Sequence, residues 1–98
     1  MINVLLLGAS GSIGSQTLDL LKQDKNSFKL TGFSVGKKID KIPLILKDFP
    51  SVKAICIQRE EDFDAVCKDF PTLKVFCGDE GLKEITSMYK KEMVINAG

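Results

Sequence analysis

The sequence has no histidine and no tryptophan, and only three cysteines among its 98 residues. Without histidine, Ser-His-Asp and Cys-His nucleophile systems and the His-containing zinc sites are excluded. Cys56, Cys67 and Cys77 are odd in number and show no C-x-x-C spacing, which fits neither a disulfide framework nor a metal knuckle. Each lies among apolar neighbours, where a free thiol packs as a small hydrophobe. Long hydrophobic runs are missing too. None exceeds four residues, the stretch Val4–Leu7 included, so no segment is expected to span a membrane. Neither sign of charge dominates: 14 basic against 13 acidic side chains leave a net +1, which argues against a nucleic-acid partner. Met1 runs straight into a strand-like stretch with no basic leader or cleavage site, and a cytoplasmic location is expected.

What is present is regular. A hydrophobic fraction of 44% with 28% charged residues suits one small folded domain over residues 1–98. Ile2–Leu7 reads as a strand buried on both faces and stopped by Gly8. Ser12–Gln23 then takes a helical period, with Ile13, Thr17, Leu18, Leu20 and Leu21 expected on the core side. Phe28–Val35 alternates as a second strand. Ile42, Ile45, Leu46 and Phe49 mark a second helix, with Asp40 as its expected N-cap and Pro43 tolerated in the first turn. Val52–Ile57 is the third strand. Phe63, Val66, Cys67 and Phe70 mark a third helix, with Glu60, Glu61 and Asp62 in a dipole-friendly first turn. Leu73–Cys77 is the fourth strand, Asp79 the expected cap of a helix carrying Leu82, Ile85, Thr86 and Tyr89, and Met93–Ile95 begins a fifth strand. Strict strand–helix alternation calls for an α/β, three-layer Rossmann-like domain, with a parallel sheet of about five strands and helices on both faces.

Gly8-Ala9-Ser10-Gly11-Ser12-Ile13-Gly14 joins the first strand to the first helix. Its glycines follow a G-x-x-G-x-x-G spacing in place of the usual G-x-G-x-x-G dinucleotide fingerprint, but the physical demands are similar. Gly8 allows a tight exit from the strand, Gly11 lets a phosphate approach the backbone, and Gly14 permits close helix-to-strand packing. The helix N-terminus offers unpaired N–H groups and partial positive charge, and Ser10 and Ser12 add hydroxyls. The alternative is a tight turn in which glycine only relieves strain. At the end of the second strand, an NAD-selective domain places Asp or Glu for the ribose 2′-hydroxyl. Here Gly36, Lys37 and Lys38 follow instead, with no carboxylate before Asp40. Two lysines beside a glycine suit a 2′-phosphate and favour NADPH; a solvated surface pair is the plainer alternative. The Arg59–Asp64 acidic run and Gly78–Gly81 read as helix starts and not as metal loops, and Phe49, Phe63 and Phe70 as core. No catalytic acid, base or nucleophile can be assembled.

The segment Leu6–Leu20 (LLGASGSIGSQTLDL) resembles the amino-terminal signature of the 1-deoxy-D-xylulose 5-phosphate reductoisomerase family, L-G-S-T-G-S-I-G-x-x-T-L-D-V. The resemblance continues through Phe28–Lys38, Gly78–Leu82 and Val94–Ala97 and so covers nearly the whole chain. It implies an NADPH-dependent, metal-dependent oxidoreductase of non-mevalonate isoprenoid biosynthesis. That enzyme isomerises and reduces 1-deoxy-D-xylulose 5-phosphate, a sugar phosphate, to 2-C-methyl-D-erythritol 4-phosphate. Carried over by position, the cofactor contacts fall on Ser10, Gly11, Ser12, Ile13, Gly36, Lys37 and Lys38. Ser10 replaces the family's threonine and keeps its hydroxyl; Lys38 replaces asparagine and adds a charge. The resemblance places the catalytic residues and the Mg or Mn ligands beyond Gly98, with a homodimer expected for the full-length enzyme. The chain is accordingly expected to be a nucleotide-binding portion, truncated before the catalytic domain and inactive alone. A semialdehyde dehydrogenase-like NADP-dependent reductase, whose loops also run G-A-[ST]-G-x-x-G, is the second reading, and a non-catalytic nucleotide-sensing module the third.

Overall fold

A computed structural model describes residues 1–98. The chain order is β1 (Ile2–Leu7), α1 (Ser12–Gln23), β2 (Phe28–Ser34), α2 (Lys41–Asp48), β3 (Ala54–Ile57), a 3-10 turn (Glu60–Asp62), α3 (Phe63–Asp69), β4 (Lys74–Cys77), α4 (Gly78–Met88) and β5 (Met93–Asn96). The five strands form one sheet in the order β4-β3-β2-β1-β5, and every pairing is parallel. The expected alternation and parallel sheet are therefore present.

Period-two alternation along the strands divides the core in two. Val4 and Leu6 of β1, with Ile55 and Ile57 of β3, join Leu21 of α1, Ile42 and Ile45 of α2 and Val66 of α3 in one buried cluster. Leu5, Ala54, Cys56 and Phe76 point the other way and pack under Ile85 of α4 and Tyr89. Helices thus cover both faces, three on one side and α4 on the other. Burial of each large side chain contributes about 1.5–3 kcal/mol, which holds short helices that would not persist alone.

Several local expectations are corrected. β2 does not alternate strictly: its pairing with β1 shifts between Val4↔Leu30 and Leu5↔Gly32, so Thr31 is an extra residue. The bulge lets Leu30 and Phe33 face the same cluster although they are three apart. On α1, Ile13 and Leu20 are 62% and 66% exposed, and the buried positions are Gly14 and Leu21. On α4, the buried positions are Gly81 and Ile85, with Tyr89 beyond the last turn; Leu82 is exposed. Asp40 is the N-cap position of α2 as expected, but its side chain makes no capping bond; Asp79 makes none either and lies inside a helix whose N-cap position is Cys77. The acidic run before α3 forms a separate 3-10 turn, tied by Arg59 to Glu61 at 3.2 Å and to Asp62 at 3.6 Å. β2 ends at Ser34, while β3 and β4 begin at Ala54 and Lys74. No helix is long and apolar enough to cross a membrane.

Candidate functional site

β1 lies between β2 and β5, so the chain leaves it in one direction and returns on its other side. In open parallel sheets, the crevice outside the strand carboxyl ends at such a reversal is where ligands bind. A cleft of about 280 Å³ occupies that position, lined by Gly8 after β1, Ser34 at the end of β2 and Gly36 after it, Cys56 on β3, Gly78 after β4 and Asn96 on β5. The surface has further hollows. One of about 170 Å³ between α1 and α2 is spanned by the Lys22–Asp48 ion pair, and a wider one of about 390 Å³ opens at the strand amino ends.

In the glycine loop, Gly8 and Gly14 lack a side chain for two different structural reasons. Gly8 has φ +78°, the left-handed region that favours glycine, and a Cβ there would stand 2.6 Å from the Gly98 nitrogen. At Gly14 the backbone conformation is ordinary, but a Cβ would overlap the Gly8 carbonyl oxygen and lie 2.8 Å from Ala9 C and Cα. Gly11 meets neither demand: its φ is −83°, and the nearest atom to an added Cβ is 3.8 Å away. It is the N-cap position of α1, and no side chain caps the helix there. The N–H groups of Ser12 and Ile13 find no acceptor within the chain, as expected of a first turn left open to an anion.

The predicted residues fall in two neighbouring groups. Gly11, Ser12 and Ile13 are exposed at the start of α1, and Lys37 and Lys38 are exposed after β2. Neither lysine joins an ion pair. Their turn is held by the Ile39 N–H on the Lys37 carbonyl and the Lys41 N–H on the Lys38 carbonyl. The two groups are joined through Ser10, whose Oγ accepts the Gly36 N–H at 3.2 Å. Of the seven, Gly36 alone lines the 280 Å³ cleft, and Ser10 borders the α1–α2 hollow. Sequence reasoning missed Ser34, whose Oγ accepts the Gly8 N–H at 2.8 Å, and Asn96, whose Oδ1 accepts the Gly98 N–H at 3.1 Å. A polar residue closing an otherwise buried strand beside a glycine turn was the available signal for Ser34.

The cysteines are free, and the strand register separates two of them. Cys56 pairs with Phe76 and Ile57 with Cys77, so Cys56 faces the α4 cluster while Cys77 packs on the opposite one. Burial, with a smaller contribution from Cys77, pushes the Cys56 thiol from 9.0 up to about 11. Burial first, then the carboxylates of Glu60, Asp62 and Glu61, also raises Cys77. Both thiols are neutral at physiological pH, unlike activated nucleophiles. The folded pKa of Cys56 lies above its unfolded value, so its contribution to stability is complete below pH 9.0 and is lost as pH rises towards about 11. Urea unfolding midpoints should therefore fall across that window, and fall less in Cys56→Ala. An equal fall in both chains would contradict the assignment. No group of three or more His, Cys, Asp or Glu side chains could hold a metal ion.

Comparison with known proteins agrees with this architecture. The sequence profile of the family described as 1-deoxy-D-xylulose 5-phosphate reductoisomerase matches residues 4–98. The chain is 43% identical over 97 residues to 1-deoxy-D-xylulose 5-phosphate reductoisomerase 2 of Bacillus thuringiensis subsp. konkukian (strain 97-27), covering 99% of this chain and 25% of that protein. It is 39% identical over 98 residues to the reductoisomerase of Macrococcus caseolyticus (strain JCSC5402), again 99% of this chain and 25% of the relative. A solved DOX-P reductoisomerase in complex with NADPH, fosmidomycin and magnesium superimposes with TM-score 0.86 at 26% identity, over 96% of this chain and 24% of that one. The reductoisomerase of Zymomonas mobilis in complex with NADPH shares the fold, with TM-score 0.79 at 21% identity over 90% of this chain and 24% of that one. This chain spans about a quarter of the length of the curated relatives it matches. With its parallel sheet, its glycine loop and a profile match over residues 4–98, the chain belongs to the 1-deoxy-D-xylulose 5-phosphate reductoisomerase family.

Proposed function

We propose that this chain is the NADPH-binding portion of a 1-deoxy-D-xylulose 5-phosphate reductoisomerase. The whole enzyme would isomerise 1-deoxy-D-xylulose 5-phosphate and reduce the product to 2-C-methyl-D-erythritol 4-phosphate. The observation that carries the reading is Gly11. Nothing inside the chain requires glycine there, yet the position sits beside the open amides of the first helical turn, where a Cβ would obstruct an approaching phosphate. Ser10, Gly11, Ser12 and Ile13 would hold the cofactor diphosphate, and Gly36, Lys37 and Lys38 the 2′-phosphate of its adenosine ribose. NADPH supplies the hydride when bound; the residues of this chain bind and orient it. The cofactor reading also draws support from the two solved relatives that hold NADPH. One of them also holds magnesium, but this chain has no acidic cluster for a metal, and the metal and sugar-phosphate contacts are assigned to the rest of the enzyme.

NADPH titration of the chain, followed by cofactor fluorescence, tests the reading. Gly11→Ala should weaken binding roughly tenfold or more, because bonds between backbone amides and a charged phosphate are worth about 1.5–3 kcal/mol. Its cost to the fold should stay near or below about 1 kcal/mol, the difference between glycine and alanine at an N-cap. Unchanged affinity in Gly11→Ala would overturn the phosphate assignment.

A further inference from the structure

Two serine hydroxyls each accept a glycine N–H across the site. Ser34, the last residue of β2, is only 8% exposed, and its Oγ accepts the Gly8 N–H at 2.8 Å. Its carbonyl accepts the N–H of Ala9, also at 2.8 Å. In return, Ser10 Oγ accepts the Gly36 N–H at 3.2 Å. Three bonds therefore tie Gly8, Ala9 and Ser10 to Ser34 and Gly36, across 25 or 26 residues of sequence. They come at the point where regular sheet pairing stops, since the β1–β2 ladder ends at Leu6↔Phe33. Beyond it, Gly8 turns through a positive φ, and its N–H is taken by the Ser34 side chain and not by a backbone carbonyl of β2. Without the Ser34 hydroxyl, this donor would be left without a protein acceptor in a partly buried position.

We propose that Ser34 is a positioning residue for the nucleotide site, and that with Ser10 it forms a clasp holding the glycine loop at a fixed distance from the β2 turn. The proposal rests on the NADPH reading, since the two groups held together are those assigned to the diphosphate and the 2′-phosphate. A dinucleotide bridging both must find them at one separation, and a clasp made before binding removes the cost of ordering them afterwards. Ser34 itself touches neither phosphate in this account. It acts through the Gly8 amide and so through the direction in which the loop leaves β1.

The test uses the 98-residue chain, with Ser34→Ala and Ser34→Thr, and two readouts. Amide hydrogen exchange at Gly8 is compared with that at Ile55, a core strand amide, in the same sample. Ser34→Ala should speed exchange at Gly8 roughly tenfold more than at Ile55 and weaken NADPH binding by roughly the same factor, since a partly buried donor left without its acceptor carries a penalty of that order. Ser34→Thr keeps the hydroxyl on a residue that favours strands and should restore both. General destabilisation would speed both amides equally, and that result would overturn the clasp. So would a Ser34→Ala chain that loses Gly8 protection yet binds NADPH like the parent, because the loop would then need no positioning. If the parent binds no NADPH at millimolar cofactor, the nucleotide role of Ser34 falls with the cofactor reading, while Gly8 exchange still decides whether the clasp exists.

Discussion

Gly14→Ala is expected to destabilise the chain by about 3 kcal/mol, the upper end of the usual cost of overpacking. Alanine is the better helix former by about 1 kcal/mol, and at an exposed helical position that preference would win. At Gly14 it cannot, because the added Cβ would overlap the Gly8 carbonyl oxygen and stand 2.8 Å from Ala9 C and Cα. Those are backbone atoms of the loop that leaves β1, and they do not rotate away as the end of a long side chain can. Either α1 lifts from the sheet, opening the packing around Leu21, or the loop shifts and gives up its bonds to Ser34 and Gly36. Domains of this size are stable by only about 5–15 kcal/mol, so the loss is a large share of the total. Thermal unfolding followed by circular dichroism should show a fall in midpoint on the order of 15 °C. A loss below about 1 kcal/mol would show that the helix is not seated so closely on the loop.

Reversing the charge of both lysines, Lys37→Glu with Lys38→Glu, is expected to lower the NADPH-over-NADH preference about 100-fold, at roughly tenfold for each charge-assisted contact to a phosphate. The two cofactors differ only in the 2′-phosphate, so the ratio of their dissociation constants isolates that group. The lysines are exposed and free of ion pairs, so the change should leave stability within about 0.5 kcal/mol. The preference of the parent chain should also shrink at high salt, which screens exposed charges. An unchanged preference in the double variant would show the lysines to be a solvated surface pair. Paired titrations with NADPH and NADH decide the matter.

The parts of the structure legible in the sequence are those governed by near neighbours. α1 spans Ser12–Gln23 as its pattern indicates, because helical period and the preceding glycine loop are both local signals. The same holds for β1, whose apolar run stops where Gly8 turns. Where expectation and structure part, a distant residue decides. Ile13 and Leu20 are as apolar as Leu21, but Gly14 seats the helix against the loop and turns them to the surface. Leu30 and Phe33 share a face because of a bulge created by pairing with β1, which the spacing of β2 does not record. Asp40 and Asp79 have the chemistry of caps, yet neither side chain makes the bond.

The sequence by itself determined the alternation of elements, the position of the glycine loop and the lysine pair after β2, since each depends on residue types within a few positions. Only the tertiary structure decided that Gly11 is free of internal constraint while Gly8 and Gly14 are not, and that Ser34 and Ser10 clasp the loop to β2. The physical reason is reach. Periodicity and turn chemistry act over a turn of helix or a step of strand, whereas steric room and hydrogen bonds across 26 residues exist only after parallel pairing has set the register.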